Sequence, residues 1–323
     1  MGCSEGRARP RFIDLFAGIG GIRLPFDELG YQCVFSSEWD SSAQQTYEAN
    51  FGERPHGDIT QIPEDEIPAH DLLLAGFPCQ PFSIIGKMDG FSDTRGTLFF
   101  DIARILAHHQ PQVLLLENVK QLTSHDKGQT FRVIRETLAD LGYHLKYKVL
   151  NALDFGLPQK RERIIIVGFR DPAYCQRLSL DFAPQPYDLA TILEDEASIP
   201  PGHFASEAIR AKRATSTEGR ELFYPSVWHE NKAGNISVHD HSCALRSGAS
   251  YNYLLVNGVR RFTSRELLRL QGFPEWFRIV VSHAQIRRQT GNSVPVSIIR
   301  AVAERIDATV DWDLEPMHHG REA

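Results

Sequence analysis

The order of apolar and polar positions predicts alternating strands and helices in the first half of the chain. Short apolar runs, which predict strands, are separated by stretches with the 3.6-residue period of amphipathic helices. This alternation is typical of βαβ units, which build a mostly parallel sheet. The predicted strands cover residues 11–16, 33–37, 71–75, 113–117, 143–150 and 163–169, and the predicted helices cover residues 20–29, 41–50, 98–108 and 130–141.

The second half of the chain lacks this alternation. Five prolines interrupt residues 181–235, and no period persists there. Further on, Asn257-Gly258 lies between apolar residues and predicts a β-hairpin with a tight turn. Helical patterns return at residues 264–270 and 295–306. The second half therefore predicts an irregular region followed by two helices.

The length of 323 residues suggests about two domains, at roughly 150 residues per domain, or one domain with a large insert. We expect residues 1–180 and 286–323 to form an α/β domain with a Rossmann-like, mostly parallel sheet. Residues 181–262 would form a smaller, irregular domain, with residues 263–285 as the hinge region between the two. The apolar runs are far shorter than the roughly 20 residues of a membrane span, so we expect no membrane partner.

Cysteine usage indicates a reducing compartment. The five cysteines are odd in number, widely scattered and without a CxxC pair, which argues against a disulfide framework and a structural zinc site. No apolar segment typical of a signal peptide follows the first arginines, so we expect a cytoplasmic protein. The run His239-Asp240-His241 lacks further ligands at set spacing, and we expect no metal.

Charge is distributed unevenly along the chain. The net charge is −6, yet residues 205–300 hold 14 Lys and Arg against 7 Asp and Glu. A basic segment on an acidic body can hold a polyanion, because the local field matters more than the sum. The charge alone leaves two interpretations open, a nucleic-acid-binding face and a solvated charged face.

Residues 16–21, Phe-Ala-Gly-Ile-Gly-Gly, follow the first predicted strand and open a predicted helix. Glycines at this point let a ligand approach the backbone at the carboxyl end of a strand, although a tight turn without a ligand remains the alternative. The second strand ends in Glu38-Trp39, where a carboxylate commonly takes ribose hydroxyls and an indole can stack on a base. Since no GxxxxGK[ST] loop exists, the pattern favours an adenosine without a pyrophosphate.

Three further motifs hold residues suited to catalysis. Cys79 lies in a proline-flanked run directly after the third strand, which suits a nucleophile, whereas a buried structural cysteine is the alternative. Glu117 ends the fourth strand at the same edge and could act as a general acid if burial raises its pKa. Arg161 and Arg163 alternate by two and share a face, where they could grip a phosphate or a base carbonyl, or form an exposed charged strand.

These motifs, in this order, resemble the DNA cytosine-5 methyltransferases, specifically those of the bacterial restriction–modification type. The resemblance covers residues 11–180 and 243–306 and leaves 181–242 unaligned. Its blocks are residues 14–21, 76–83, 117–119, 159–163, 265–274 and 291–294.

The resemblance implies methyl transfer from S-adenosylmethionine to C5 of a cytosine in double-stranded DNA. Cys79 would attack C6, Glu117 would hold and protonate N3, Arg163 would contact O2, and Arg161 would support the site. Since none of this works inside a duplex, the target base would be flipped out.

The resemblance also implies a Rossmann-like pocket for the cofactor, with S-adenosylhomocysteine as its product form. The unaligned segment would recognise the target site, and we expect a monomer whose cognate restriction endonuclease, if present, forms no stable complex with it. By similarity, the cofactor-binding residues are Phe16, Gly18, Gly20, Glu38, Trp39, Asp58, Ile59, Pro78, Leu98, Asn292 and Val294.

Two points qualify the resemblance. Some members place a small polar residue, which fills the gap left by the flipped base, where this chain has Ile85. An apolar wedge, or a residue from the unaligned segment, would then fill the gap. The nearest alternative function is a tRNA cytosine-5 methyltransferase of the same fold, but such relatives usually read Pro-Pro-Cys where this chain reads Phe77-Pro78-Cys79.

Overall fold

A six-stranded sheet forms the centre of the computed structural model, which describes residues 9–78 and 98–312. The strand order is β2-β1-β3-β4-β7-β5, and only β7 runs antiparallel to its neighbours. The predicted α/β fold with a mostly parallel sheet is confirmed. The strands of this sheet are β1 (Arg11–Leu15), β2 (Gln32–Ser37), β3 (Leu72–Gly76), β4 (Val113–Val119), β5 (His144–Asn151) and β7 (Glu162–Phe169).

Helices cover both faces of the sheet. One face packs against α1, α5 and α9, and the other against α3 and α4. Because helices bury both faces of the sheet, the central strands are apolar at nearly every position rather than at alternate positions. The described helices are α1 (Arg23–Glu28), α2 (Ser41–Phe51), α3 (Leu98–His109), α4 (Gln129–Asp140), α5 (Pro172–Arg177), α6 (Glu207–Ser216), α7 (Ser264–Leu270), α8 (His283–Asn292) and α9 (Val296–Thr309).

The carboxyl ends of the parallel strands meet at one edge of the sheet. In the register of β3 and β4, Gly76 pairs with Glu117, and β1 and β2 end beside each other at Leu15 and Ser37. Polar residues therefore collect directly after apolar strands, at a single edge. This edge positions the candidate site.

Two small sheets lie outside the central one. One contains β11 (Leu254–Val256), β8 (Val227–Glu230) and β9 (Ile236–His239), all antiparallel. The other pairs β10 (Ser242–Cys243) with β6 (Gln159–Lys160).

The predicted hairpin at Asn257-Gly258 is wrong in its pairing. The chain does turn there, with both residues at positive φ, but beyond the turn only a single bridge joins Val256 to Arg260. The strand before the turn, β11, instead pairs with the distant β8. The Asn257-Gly258 pair thus predicted the turn correctly, but not the strand with which β11 pairs.

Three helix predictions also need correction. The first helix begins at Arg23 rather than at residue 20, because the glycine-rich run forms turns. Helix α6 lies within the region predicted to be irregular, and α8 was not predicted. Both lack an apolar stripe, since α6 buries Arg213, and α8 buries polar side chains beside a single isoleucine.

A third apolar cluster joins parts of the chain that are far apart in sequence. It includes Ile19 near the glycine-rich run, Val227 and Leu254 of the small sheet, and Leu268 of α7. Residues 181–262 are therefore in continuous apolar contact with the rest of the chain. None of the helices within residues 9–78 and 98–312 combines the length and apolarity needed to cross a membrane.

Candidate active site

A cavity of about 560 Å³ opens at the carboxyl edge of the central sheet. This volume lies within the range of small-molecule sites. Of the sequence-predicted residues, the cavity is lined by Phe16, Gly18, Glu38, Trp39, Asp58, Ile59, Pro78, Leu98, Glu117, Arg163, Asn292 and Val294. The strand-end motifs, separated by up to 278 positions, thus meet around one space.

Glu38 ties the glycine-rich turn to the end of β2. Its Oε2 accepts a hydrogen bond from the Gly18 amide and its Oε1 from the Asp40 amide, both at 2.8 Å. Burial raises the pKa of Glu38, and these two amides oppose that rise. Phe16 begins the turn at a φ of 56°, and Trp39 leaves 77% of its surface exposed at the cavity wall. Both aromatic residues line the cavity together with Glu38.

The two glycines at the end of the turn play different parts. The ring of Phe51 fills the space that a Cβ on Gly20 would need, and Gly20 does not line the cavity. A Cβ on Gly21 would meet Ser293 Oγ at 2.8 Å, so this glycine lets residues 291–294 approach the turn. The sequence predicts that Gly20 contacts the cofactor. In this structure Gly20 instead allows Phe51 to pack closely against the turn.

Asp58 and Ile59 form the wall next to the end of β2. The Asp58 side chain accepts a hydrogen bond from the Thr60 amide at 3.0 Å and begins a short 3₁₀ turn. Ile59 is buried, and its carbonyl accepts from Arg104 of α3. Helix α3 begins at Leu98, which also lines the cavity.

Glu117 and Arg163 form an ion pair inside the cavity. Glu117 Oε1 lies 2.7 Å from Arg163 Nε, and both side chains are largely buried. Burial raises the pKa of Glu117, and the positive charges of Arg163 and Arg161 oppose the rise. Burial therefore favours the protonated form of Glu117, which is the form that a general acid needs.

Asn118 connects this pair to the run that contains Cys79. Its side-chain amide donates to the Phe77 carbonyl at 2.9 Å, and its Oδ1 accepts from the Val119 amide at 2.8 Å. The backbone is thus held immediately before Pro78. Cys79 and Ile85 lie outside the described residues. Sequence reasoning missed Asn118, although its place directly after Glu117 was a signal.

Arg161 does not line the cavity but lies buried behind it. Its guanidinium donates to the carbonyls of Leu245, Gly291 and Ser293 at 2.7, 2.9 and 2.5 Å. Burial, together with the neighbouring charge of Arg163, lowers its pKa to about 9. Its contacts join the central sheet to two loops, as its predicted supporting role requires.

A second ion pair at the cavity was not predicted. Arg288 Nη2 of α8 lies 3.0 Å from Asp40 Oδ2, and both residues line the cavity beside Trp39. Asp40 also caps α2 by accepting from the Ala43 amide at 2.9 Å. The sequence signal was weak because Arg288 lies in a helix that lacks an apolar stripe.

In the part of the chain that the structure describes, no group of three His, Cys, Asp or Glu side chains could hold a metal ion. The run around Asp240 makes local contacts instead. His241 Nδ1 lies 2.7 Å from Asp240 Oδ1, and His239 contacts Ser237.

The fold and the cavity together define an α/β enzyme that binds its ligands at the carboxyl edge of its sheet. Residues 10–308 match the family described as C-5 cytosine-specific DNA methylase. The chain belongs to this family and is a DNA (cytosine-5)-methyltransferase, which confirms the resemblance inferred from the six sequence blocks.

Close relatives cover most of the chain. It is 57% identical to the type II methyltransferase M.NgoBI of Neisseria gonorrhoeae, over 90% of each protein. It is also 57% identical to the type II methyltransferase M.HaeII of Haemophilus aegyptius, over 90% of this chain and 91% of that one.

Solved structures with low sequence identity share the fold. A crystal structure of a Spodoptera frugiperda DNMT2 mutant matches with a TM-score of 0.69 at 20% identity, over 92% of this chain and 99% of that one. The S. pombe Dnmt2 methyltransferase matches with the same score at 22% identity, over 93% and 99% of the two chains.

Proposed function

We propose that this chain is the modification methyltransferase of a type II restriction–modification system. It would methylate C5 of one cytosine, flipped out of a short specific site in duplex DNA, with S-adenosylmethionine as the methyl donor. The observation that carries the proposal is the Glu117–Arg163 pair, which lies beside Pro78 in the same cavity as Glu38 and Trp39. One space thus holds residues suited to a base and residues suited to an adenosine.

The cavity residues fit the cofactor. Glu38, Asp40 and Asp58 provide carboxylates for ribose hydroxyls and for the amino groups of the cofactor, and Phe16 and Trp39 provide aromatic faces for adenine. When bound, S-adenosylmethionine supplies the electrophilic methyl group. The remaining residues assigned to this pocket are Gly18, Ile59, Pro78, Leu98, Asn292 and Val294, while Gly20 supports it through packing.

The chain's own residues make C5 reactive. Cys79, as a thiolate, would form a bond to C6, and the electron pair of the C5–C6 double bond would become available at C5. Glu117 would protonate N3 so that negative charge does not build on the ring, and Arg163 would hold O2 while remaining paired with Glu117. After methyl transfer, loss of the C5 proton to water and expulsion of the thiolate would restore the double bond, and N3 would return its proton to Glu117.

Residues 181–262 would recognise the target site, and residues 263–285 would link them to the catalytic domain, formed by 1–180 and 286–323. The absence of cavity-lining residues from 181–262 supports this division. The basic excess of residues 205–300 lies partly in this segment and partly just after it. His229, Asn231 and Lys232 supply hydrogen-bonding groups suited to base edges. We propose that the protein acts as a monomer in the bacterial cytoplasm, independently of any endonuclease partner.

Sequencing of host DNA by a method that resolves 5-methylcytosine tests the function. Expression of the chain should produce methylation at one short motif, and absence of methylation would contradict the proposal. Plasmid DNA and tRNA should be compared as substrates of the purified protein, because methylation of tRNA alone would favour the alternative enzyme of the same fold.

Exchange of residues 181–262 for those of another family member tests the division of labour. We expect an active chimera to methylate the donor's site. An active chimera that retains the original site would contradict the assignment. The exchange should keep an apolar residue at position 245, because the Leu245 side chain is buried in an apolar cluster.

A further inference from the structure

Three arginines line a shallow depression next to the active-site cavity. The depression measures about 30 Å³ and is also lined by Tyr251 and His283. We call Arg246, Arg261 and Arg287 the arginine cluster. They come from the loop after β10, the segment before α7 and the middle of α8, so folding brings them together from three separate segments.

The arginine cluster is positively charged without a compensating carboxylate. The lining contains no Asp or Glu, and within residues 9–78 and 98–312 none of the three arginines forms an ion pair. The nearby Glu266 is already held by Arg260, with both oxygens at 2.8 Å. His283 adds no charge near neutral pH, because burial and the charges of His203, Arg287 and Arg261 lower its pKa to about 4.

Aromatic rings hold the guanidinium groups in place. Arg287 and Arg261 lie 3.8 and 5.4 Å from the ring centroid of Tyr251, and Arg246 lies 5.0 Å from that of Tyr253. Arg261 and Arg287 also donate to backbone carbonyls, whereas the Arg246 guanidinium has no hydrogen bond to a described residue. The site is thus ordered by two arginines, and the third remains available to a ligand.

The arginine cluster adjoins the active site through the backbone. Gly291 packs so closely on Arg246 and Ser247 that a Cβ at Gly291 would overlap them. Gly291 and the two residues that follow line the active-site cavity. A ligand bound at the cluster would therefore lie one loop away from the base in the cavity.

We propose that the arginine cluster binds a backbone phosphate of the substrate DNA next to the flipped nucleotide. A space of about 30 Å³ has room for a group of the size of a water molecule, such as a phosphate oxygen. Arginine is suited to such oxygens because its planar fork donates two parallel hydrogen bonds. The inference rests on the proposed function, since it takes duplex DNA as the substrate, and it deepens that function by assigning a contact that fixes register.

The test compares Arg246→Ala, Arg246→Lys and the control Arg132→Ala. Arg132 is an exposed arginine of α4, a helix that packs on the face of the central sheet opposite to α9. Binding is measured at several salt concentrations, on a duplex with the methylated site and on one without it. We expect Arg246→Ala to weaken binding about tenfold on both duplexes near 0.1 M salt. The slope of log affinity against log salt should fall by about 1, because one phosphate contact is lost. Arg246→Lys should restore most of the affinity and most of the salt slope. Arg132→Ala should match the wild type in both quantities.

Two outcomes would overturn the proposal. An unchanged salt slope in Arg246→Ala would show that no phosphate contact was lost. Weakening confined to the duplex with the methylated site would make Arg246 a base-reading residue instead. Methylation by the wild-type chain, measured on the same duplex, tests the proposed function separately, because an active wild type with an unaffected Arg246→Ala variant would contradict only the arginine cluster.

Discussion

The catalytic edge of the sheet and the region of residues 181–262 are held together by different forces. At the edge, the apolar strand β4 places Glu117 near its end, Glu38 directly follows the buried end of β2, and burial fixes their positions. In residues 181–262 the regular elements are short, and buried Arg213 is a main link between them. The comparison teaches that apolar strands place the side chains of the edge, whereas residues 181–262 combine apolar packing with contacts of buried polar side chains.

Arg213 illustrates the second kind of order. It donates to the carbonyls of Trp228 and Asn252 and pairs with Glu230, so one side chain joins α6, β8 and the loop before β11. Arg161 performs the same task between the central sheet and Leu245. Such contacts fix the backbone path of these segments through their carbonyl groups.

The largest expected effect is at the catalytic edge. Cys79→Ala should reduce methyl transfer by more than a thousandfold, because removal of a covalent nucleophile normally costs at least this much. Affinity for S-adenosylmethionine should stay near that of the wild type, and Cys175→Ala, in α5, should remain active. Single-turnover methylation and cofactor titration measure the two effects. Residual turnover above about one part in a thousand would assign the nucleophile elsewhere.

Trapping gives an independent test of the same residue. A duplex with 5-fluorocytosine at the target should form a denaturation-resistant complex with the wild-type protein, since fluorine at C5 blocks the final elimination. The Cys79→Ala variant should form none. A trapped complex with that variant would mean that another side chain attacks C6.

Glu117→Gln should have the next largest effect. Glutamine keeps the shape but cannot transfer a proton, so the methylation rate should fall by roughly 10² to 10⁴, the usual span for a lost general acid. Because burial raises the pKa of Glu117, the wild-type rate should fall as pH rises through that pKa. The variant should lack this dependence. The control Glu162→Gln changes a more exposed carboxylate of β7 and should leave the rate unchanged.

The pH profiles and cofactor titrations of both variants provide the checks. A fall in cofactor affinity as large as the fall in rate would place Glu117 in the cofactor pocket. An unchanged rate would mean that another group protonates N3.

The sequence predicted the catalytic edge better than the rest, for a physical reason. Apolar strands produce a visible pattern, and the parallel sheet brings their ends to one edge, so 12 of the 15 predicted site residues line the cavity. The sequence of helix α6 shows no apolar pattern, because the residue that the helix buries is Arg213. No local signal could predict that β11 pairs with β8. Long-range contacts of polar groups depend on the folded backbone and are not encoded by periodicity.

Arg213→Met tests whether buried polar contacts hold the recognition region. The change leaves two carbonyls without this donor, while Glu230 keeps its pair with Lys212, and we expect a loss of about 3 kcal/mol in the free energy of unfolding. Arg210→Met, at an exposed position of the same helix, should change it by less than about 0.5 kcal/mol. Denaturant unfolding measures both. Equal stability of the two variants would contradict the role given to Arg213.

The smallest effect is expected for the ion pair between Arg288 and Asp40 at the cavity. Both side chains are partly exposed, and such pairs usually contribute less than about 1 kcal/mol. Arg288→Ala should therefore weaken S-adenosylmethionine binding by about two- to fivefold and leave the maximal methylation rate near that of the wild type. Arg300→Ala, which breaks an exposed pair with Glu28 between α9 and α1, is the matched control and should change neither quantity. A double-mutant cycle tests whether the pair acts as a unit. In that case Asp40→Asn should weaken cofactor binding to a similar extent, and the variant with both substitutions should bind little more weakly than either single variant. A lower methylation rate with unchanged cofactor affinity would instead place Arg288 on the DNA side of the cavity. The Arg288–Asp40 pair would then be a polar contact between the catalytic edge and the bound DNA.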